Sequence, residues 1–113
     1  MLFRSGIGVS LTFKVGANPS TKFYALNGYA KDRKTWEKNS RVKRMRVLFL
    51  GQPIAYVTLL DSDQMQVFDL SHAVDLSRAK QVANAELQFV IVSVYPGKQY
   101  KDTVLTELLM AAP

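Results

Sequence analysis

Residues 27–46, NGYAKDRKTWEKNSRVKRMR, concentrate the groups that could do chemistry. Residues 31–46 carry eight cations (Lys31, Arg33, Lys34, Lys38, Arg41, Lys43, Arg44 and Arg46) against two acids, Asp32 and Glu37. That excess equals the whole formal charge of +6, because the rest of the chain balances seven bases with seven acids. Charge placed so unevenly suits a surface that meets a partner. It also suits a solvated loop running into an edge strand whose cations discourage strand pairing. The same stretch holds the only tryptophan, Trp36, and a second polar segment, KQYKDT at 98–103, offers Tyr100 and Asp102. An aromatic face beside amide and cationic side chains fits a sugar: the ring's C–H face stacks while polar groups fix its hydroxyls. The candidate ligand-binding residues are therefore Trp36, Lys38, Asn39, Arg41 and Tyr100, with Asp102 orienting the second loop. Trp36 admits two readings, a stacking platform for a sugar or a lid folded back onto the protein, since tryptophan is usually mostly buried.

Other chemistries find little support. His72 is the only histidine, so a cage of histidines around a metal is impossible, and its neighbours Ser71 and Asp75 match a catalytic triad only at chance level. With no cysteine there is neither a disulfide framework nor a thiolate metal site. Asp61 and Asp63 share a turn, which does not make a paired-carboxylate hydrolase site. Gly6 and Gly8 do not extend to a dinucleotide fingerprint, and no phosphate loop ends in Gly-Lys-Ser/Thr. These observations point to a binding or structural module rather than an enzyme. No run of about 18 apolar residues suggests a membrane span, and the first fifteen residues do not read as a signal peptide.

The elements that position these groups read as strands. Val9, Leu11, Phe13 and Val15 alternate with polar residues, the period of a half-buried strand. GANPS at 16–20 is a turn by composition, and an aromatic-rich run over 23–29 closes at the turn pair Asn27-Gly28. After the cationic loop, residues 43–50 alternate again. Met45, Val47 and Phe49 share one side, which leaves Arg44 and Arg46 together on a solvated face. Gly51-Gln52-Pro53 turns the chain into a partner strand over 54–60, ended by Asp61-Ser62-Asp63, and a short strand covers 65–70. Residues 71–85 read as a long connection with room for a helical turn. Residues 86–95 are nearly continuous in β-branched and apolar side chains, the mark of a central strand covered on both sides. Pro96-Gly97 stops it, and residues 104–110 form the last strand. About seven strands with turns between them and no convincing amphipathic helix predict an all-β sandwich in one domain of 113 residues. Loops gather at the ends of a sandwich, so the Trp36 and Tyr100 segments are expected to share a rim.

Four stretches together resemble a known family: GIGVSLTF at 6–13, NGYAKD at 27–32, KNSRVKRMRVLF at 38–49 and SVYPGKQYKDTVLTEL at 93–108. They are similar to the galactose-binding-like, discoidin or coagulation-factor-5/8 C-type modules, most closely the bacterial branch attached to secreted NAD-glycohydrolase-type and other surface proteins. The resemblance implies a jelly-roll β-sandwich that binds ligands at its loop ends, lacks catalysis of its own and works outside the cell or on its surface. Relatives begin with a further strand and an Asp-rich loop, so the resemblance also implies an N-terminally incomplete sandwich, with exposed backbone groups that favour self-association or strand exchange. In many relatives that loop and a glutamate of the last strand hold a structural calcium. Glu107 would be the counterpart here, one oxygen ligand where calcium takes six to eight.

Three functions follow. The first is a non-catalytic glycan-binding module. The second is a protein-interaction or structural module that docks an acidic partner through the cationic stretch. The third is binding of nucleic acid or anionic lipid without sequence specificity; it would weaken steeply with salt, whereas stacking on a neutral sugar would not.

Overall fold

The computed structural model describes residues 2–3, 6–15, 20–28, 32–73 and 85–111. The elements in chain order are β1 (Leu2–Phe3), β2 (Ser10–Lys14), β3 (Lys22–Asn27), α1 (Arg33–Lys38), β4 (Ser40–Phe49), β5 (Gln52–Thr58), β6 (Gln66–Asp69), β7 (Glu86–Tyr95) and β8 (Thr103–Met110). All seven expected strands are present, and a two-residue strand, β1, pairs with Thr103 and Val104 of β8. Most of the connection expected over 71–85 lies outside the described residues. Among those described, no helix is long and apolar enough to cross a membrane.

The fold is an all-β sandwich. One layer runs β2-β7-β4 with β5 on the far side of β4, and the other runs β8-β3-β6. β8 joins them: Thr103 and Val104 lie parallel to Ser40 and Arg41 of β4, while the rest of β8 runs antiparallel to β3. The layers meet through four phenylalanines. Phe13 and Phe89 from the first layer and Phe23 and Phe68 from the second pack with centroids 5.2 to 6.0 Å apart, mostly edge to face as ring quadrupoles prefer.

Around this cluster the period-two pattern holds. Met45, Val47 and Phe49 of β4 are buried, as are Leu87, Phe89 and Ile91 of β7, and Arg44 and Arg46 are exposed. The alternation fails in β8, where Leu105 and Leu108 are both buried. A register shift against β3 between Leu26 and Asn27 explains this, since one extra residue in β8 restores the inward face. β4 is not an edge: β7 flanks it on one side, and β8 then β5 on the other. Edge protection therefore does not account for its arginines.

Two expectations are corrected. The turn expected at 51–53 sits one residue earlier. Phe49 pairs with Gln52 across Leu50-Gly51, whose φ values of 51° and 79° are both positive. That is the geometry of a type I′ hairpin turn, whose hand matches the twist of the strands it joins. Pro53 instead stands within the edge strand β5, beside the register shift at Val47 and Leu48, where a missing N–H is tolerated. The second correction is α1, a helix where a loop was expected.

Leu50 is the only described non-glycine residue with positive φ, and it is 46% exposed. A branched side chain is disfavoured there, whereas asparagine tolerates the conformation. Leu50→Asn is expected to raise stability by about 0.5–1 kcal/mol. Urea unfolding would show a higher midpoint at unchanged slope; an unchanged or lower midpoint would refute the strain.

Candidate rim site around a six-residue helix

A helix of six residues is too short to persist on local propensity, so α1 must be held at both ends. Asp32 caps its start, accepting from Thr35 N (2.8 Å) and the Thr35 hydroxyl (3.1 Å). At the other end the last four carbonyls lack partners within the helix, and each finds one elsewhere. Thr35 O accepts from Asn39 Nδ2, Trp36 O from Arg41 Nη1, Glu37 O from Lys98 N and Arg41 Nη1, and Lys38 O from Gln99 N and Tyr100 N. The helix is thus closed by β4 and by the loop after β7.

Trp36 points from α1 into the protein. It is 2% exposed, and its indole N–H donates to Asn27 O at 3.1 Å. The guanidinium carbons of Arg33 and Arg41 lie 4.4 and 4.3 Å from its ring centroid, within cation–π range. Beneath it is Gly28, at φ 75°, where a Cβ would collide with the indole. The lid reading of Trp36 therefore holds. The stacking-platform reading is corrected, because no ring face is left for a sugar.

Arg41 is likewise corrected from ligand contact to scaffold. It is 7% exposed and makes a bidentate pair with Asp61, Nε to Oδ1 at 2.9 Å and Nη2 to Oδ2 at 3.1 Å. Burying a guanidinium is unfavourable unless its donors are satisfied. Here Nη1 also reaches the carbonyls of Trp36, Glu37 and Asn39.

Asn27 ties these parts to the sandwich. It is fully buried; its Nδ2 donates to Val42 O (2.7 Å) and its Oδ1 accepts from Val42 N (2.9 Å). The amide side chain thus pairs with β4 as a strand backbone would.

The loop at 96–102 lies directly against residues 37–40. Ser40 N donates to Asp102 O, Gly97 N donates to Ser40 Oγ at 3.1 Å, and Lys98 Nζ meets Glu37 Oε2 at 3.2 Å. The backbones approach so closely that a Cβ on Gly97 would strike the 38–40 main chain. The expected common rim therefore exists: Lys38, Asn39, Tyr100 and Asp102 are brought together. Tyr100 is 47% exposed, with its hydroxyl accepting from Gln99 Nε2, and Lys38, Asn39 and Asp102 are half-buried.

Glu107 is exposed on β8, opposite Leu26. Among the described residues no group of three or more acidic or histidine side chains could hold a metal ion. Those donors do not fit a calcium site at Glu107.

Residue patterns missed Asn27, Asp61 and Gly97. Asn27 was concealed by the Asn-Gly turn signal, and Asp61 read as a strand terminator. The signal that was available for Gly97 was its place after a proline in a polar loop, which indicated a turn but not a close approach.

A sequence-family model described as "NAD glycohydrolase translocation F5/8 type C domain" matches residues 4–111. No curated protein and no solved structure matches the chain.

Asn27→Ala would leave the buried N–H and C=O of Val42 unpaired, at about 1–3 kcal/mol each. A loss of roughly 3 kcal/mol in urea unfolding is expected; a loss below about 1 kcal/mol would mean water or a rearranged strand replaces the amide. A second prediction concerns pH. Hydrogen bonding and charge from Lys98, then from Arg33, hold the Glu37 carboxyl below its ordinary value of 4.5. A depressed folded value means the contribution is present above the unfolded value and lost as pH falls through the folded one. Carboxyl NMR titration should place the Glu37 midpoint under 4.5, and Lys98→Ala should move it upward. A midpoint that ignores Lys98 would show that the contact is absent in solution.

Proposed function

Because the chain belongs to the NAD glycohydrolase translocation F5/8 type C domain family, we propose that it is a single non-catalytic module that binds carbohydrate at the rim between α1 and the 96–102 loop. The bound glycan would locate an NAD glycohydrolase for its translocation, in a secreted or cell-surface bacterial setting. The observation that carries this reading is Tyr100: an exposed ring on a loop whose main chain is fixed to Lys38 O and Ser40.

Sugar recognition benefits from that arrangement. An aromatic ring held by a rigid backbone loses little freedom on binding, and half-buried Lys38, Asn39 and Asp102 supply donors and acceptors around it. With Trp36 and Arg41 withdrawn into the scaffold, Tyr100 is the residue expected to stack, and the three polar side chains are those expected to meet hydroxyls. Stacking on a neutral ring changes little with ionic strength, which separates this reading from polyanion binding.

On a glycan array the protein should retain a defined subset of glycans, at similar levels at low and at physiological salt. Tyr100→Ala should reduce that signal by at least about tenfold with its melting temperature essentially unchanged. Retention of the same glycans by Tyr100→Ala, or no glycan retained by the unaltered protein, would refute the rim as a sugar site.

A further inference from the structure

Arg44 and Arg46 belong to the cationic stretch but take no part in the rim. They alternate along β4 on the outer face of the first layer, both exposed, roughly 7 Å apart along the strand. In register, Arg46 lies between Tyr56 of β5 and Val90 of β7, and Arg44 lies between Thr58 and Ser93. The next position on this face, Leu48, lies between Pro53 and Gln88.

Among the described residues neither arginine forms an ion pair. The Arg44 guanidinium instead rests 4.2 Å from the centroid of the Tyr56 ring, which is 55% exposed. Stacking holds the guanidinium in place while its edge N–H donors stay available. Since β4 is flanked on both sides over this length, the two charges cannot be explained as edge protection.

We propose that this face docks an acidic protein surface, going beyond the rim reading and independent of it. Three features favour a protein over other anions. Arginine and tyrosine around half-buried Leu48 and Val90 match the composition of protein interface centres. Two guanidinium forks suit bidentate carboxylates. A nucleic-acid or membrane surface would call for a broader field of charge, whereas among the described residues the further cation of this face, Lys14, stands opposite Glu86.

The test uses the full chain and a labelled poly-L-glutamate of about 20 residues, followed by fluorescence anisotropy at physiological salt. Replacing both residues, Arg44→Ala with Arg46→Ala, should weaken binding about tenfold or more. Removing the same charge elsewhere, Lys22→Ala with Lys34→Ala, should weaken it less than about threefold. Arg44→Lys with Arg46→Lys keeps the charge but loses the fork, so a clear loss is still expected. In the unaltered protein, amide shifts induced by the peptide should fall on residues 44–58 and 88–93, a readout independent of how the variants fold. Equal losses in the two alanine pairs, or shifts confined to 34–38 and 97–101, would overturn the proposal. Tighter Arg44- and Arg46-dependent binding of a heparin octasaccharide or of phosphatidylserine vesicles would also overturn it, assigning the face to a polysaccharide or a membrane. Tyr100→Ala should leave peptide binding unchanged, so failure here and failure of the rim reading are distinguishable.

Discussion

The pairing of the Asn27 amide with the main chain of Val42 is the contact on which this end of the sandwich depends. β3 belongs to one layer and β4 to the other, so no ladder connects them directly here. A side-chain amide offers one donor and one acceptor in the spacing of a peptide group, and Asn27 uses both. Its own carbonyl takes the indole N–H of Trp36. One buried residue thereby fixes the start of β4 and the position of the helix that precedes it. At a fully buried position each of these bonds is strong, and each unmade bond is correspondingly unfavourable.

From that anchor the cationic stretch divides into two uses. Arg33 and Arg41 are structural: they cover the indole, and Arg41 also satisfies helix carbonyls while pairing with Asp61. A buried guanidinium can do this because its five donors reach several acceptors at once. Arg44 and Arg46, only a few residues later, point to the opposite side of the sheet and stay in solvent. The change of role follows from strand geometry. Residues 40–42 are all buried, where β4 is enclosed by β8 and the capped helix, and normal alternation resumes beyond the register shift near Val42 and Arg44.

The same division separates the buried scaffold from the exposed rim. The phenylalanine cluster and the inward faces of β4 and β7 close the sandwich without involving the rim. The rim is assembled from main-chain bonds between residues 37–40 and 97–102, so its exposed side chains can vary without loss of those bonds. A fixed backbone there presents replaceable side chains, the arrangement that the proposed recognition role requires.

The sequence by itself determined the strands. Alternation at 9–15 and 43–49, the continuous apolar run at 86–95 and the turn residues between them are local signals, because side-chain direction in a strand repeats every two residues. It also determined that the Trp36 and Tyr100 segments share one end, since sandwich loops cluster there, and that Arg44 and Arg46 face solvent together. What only the tertiary structure decided was which charges and rings are buried. α1 is invisible locally because its carbonyls are satisfied by Asn39, Arg41 and the amides of residues 98–100. Trp36 and Arg41 are removed from solvent by Asn27, Gly28 and Asp61, partners between 8 and 20 positions away. Residue type states what a side chain can bond to, but distant partners decide whether that capacity is spent inside the fold or left for a ligand.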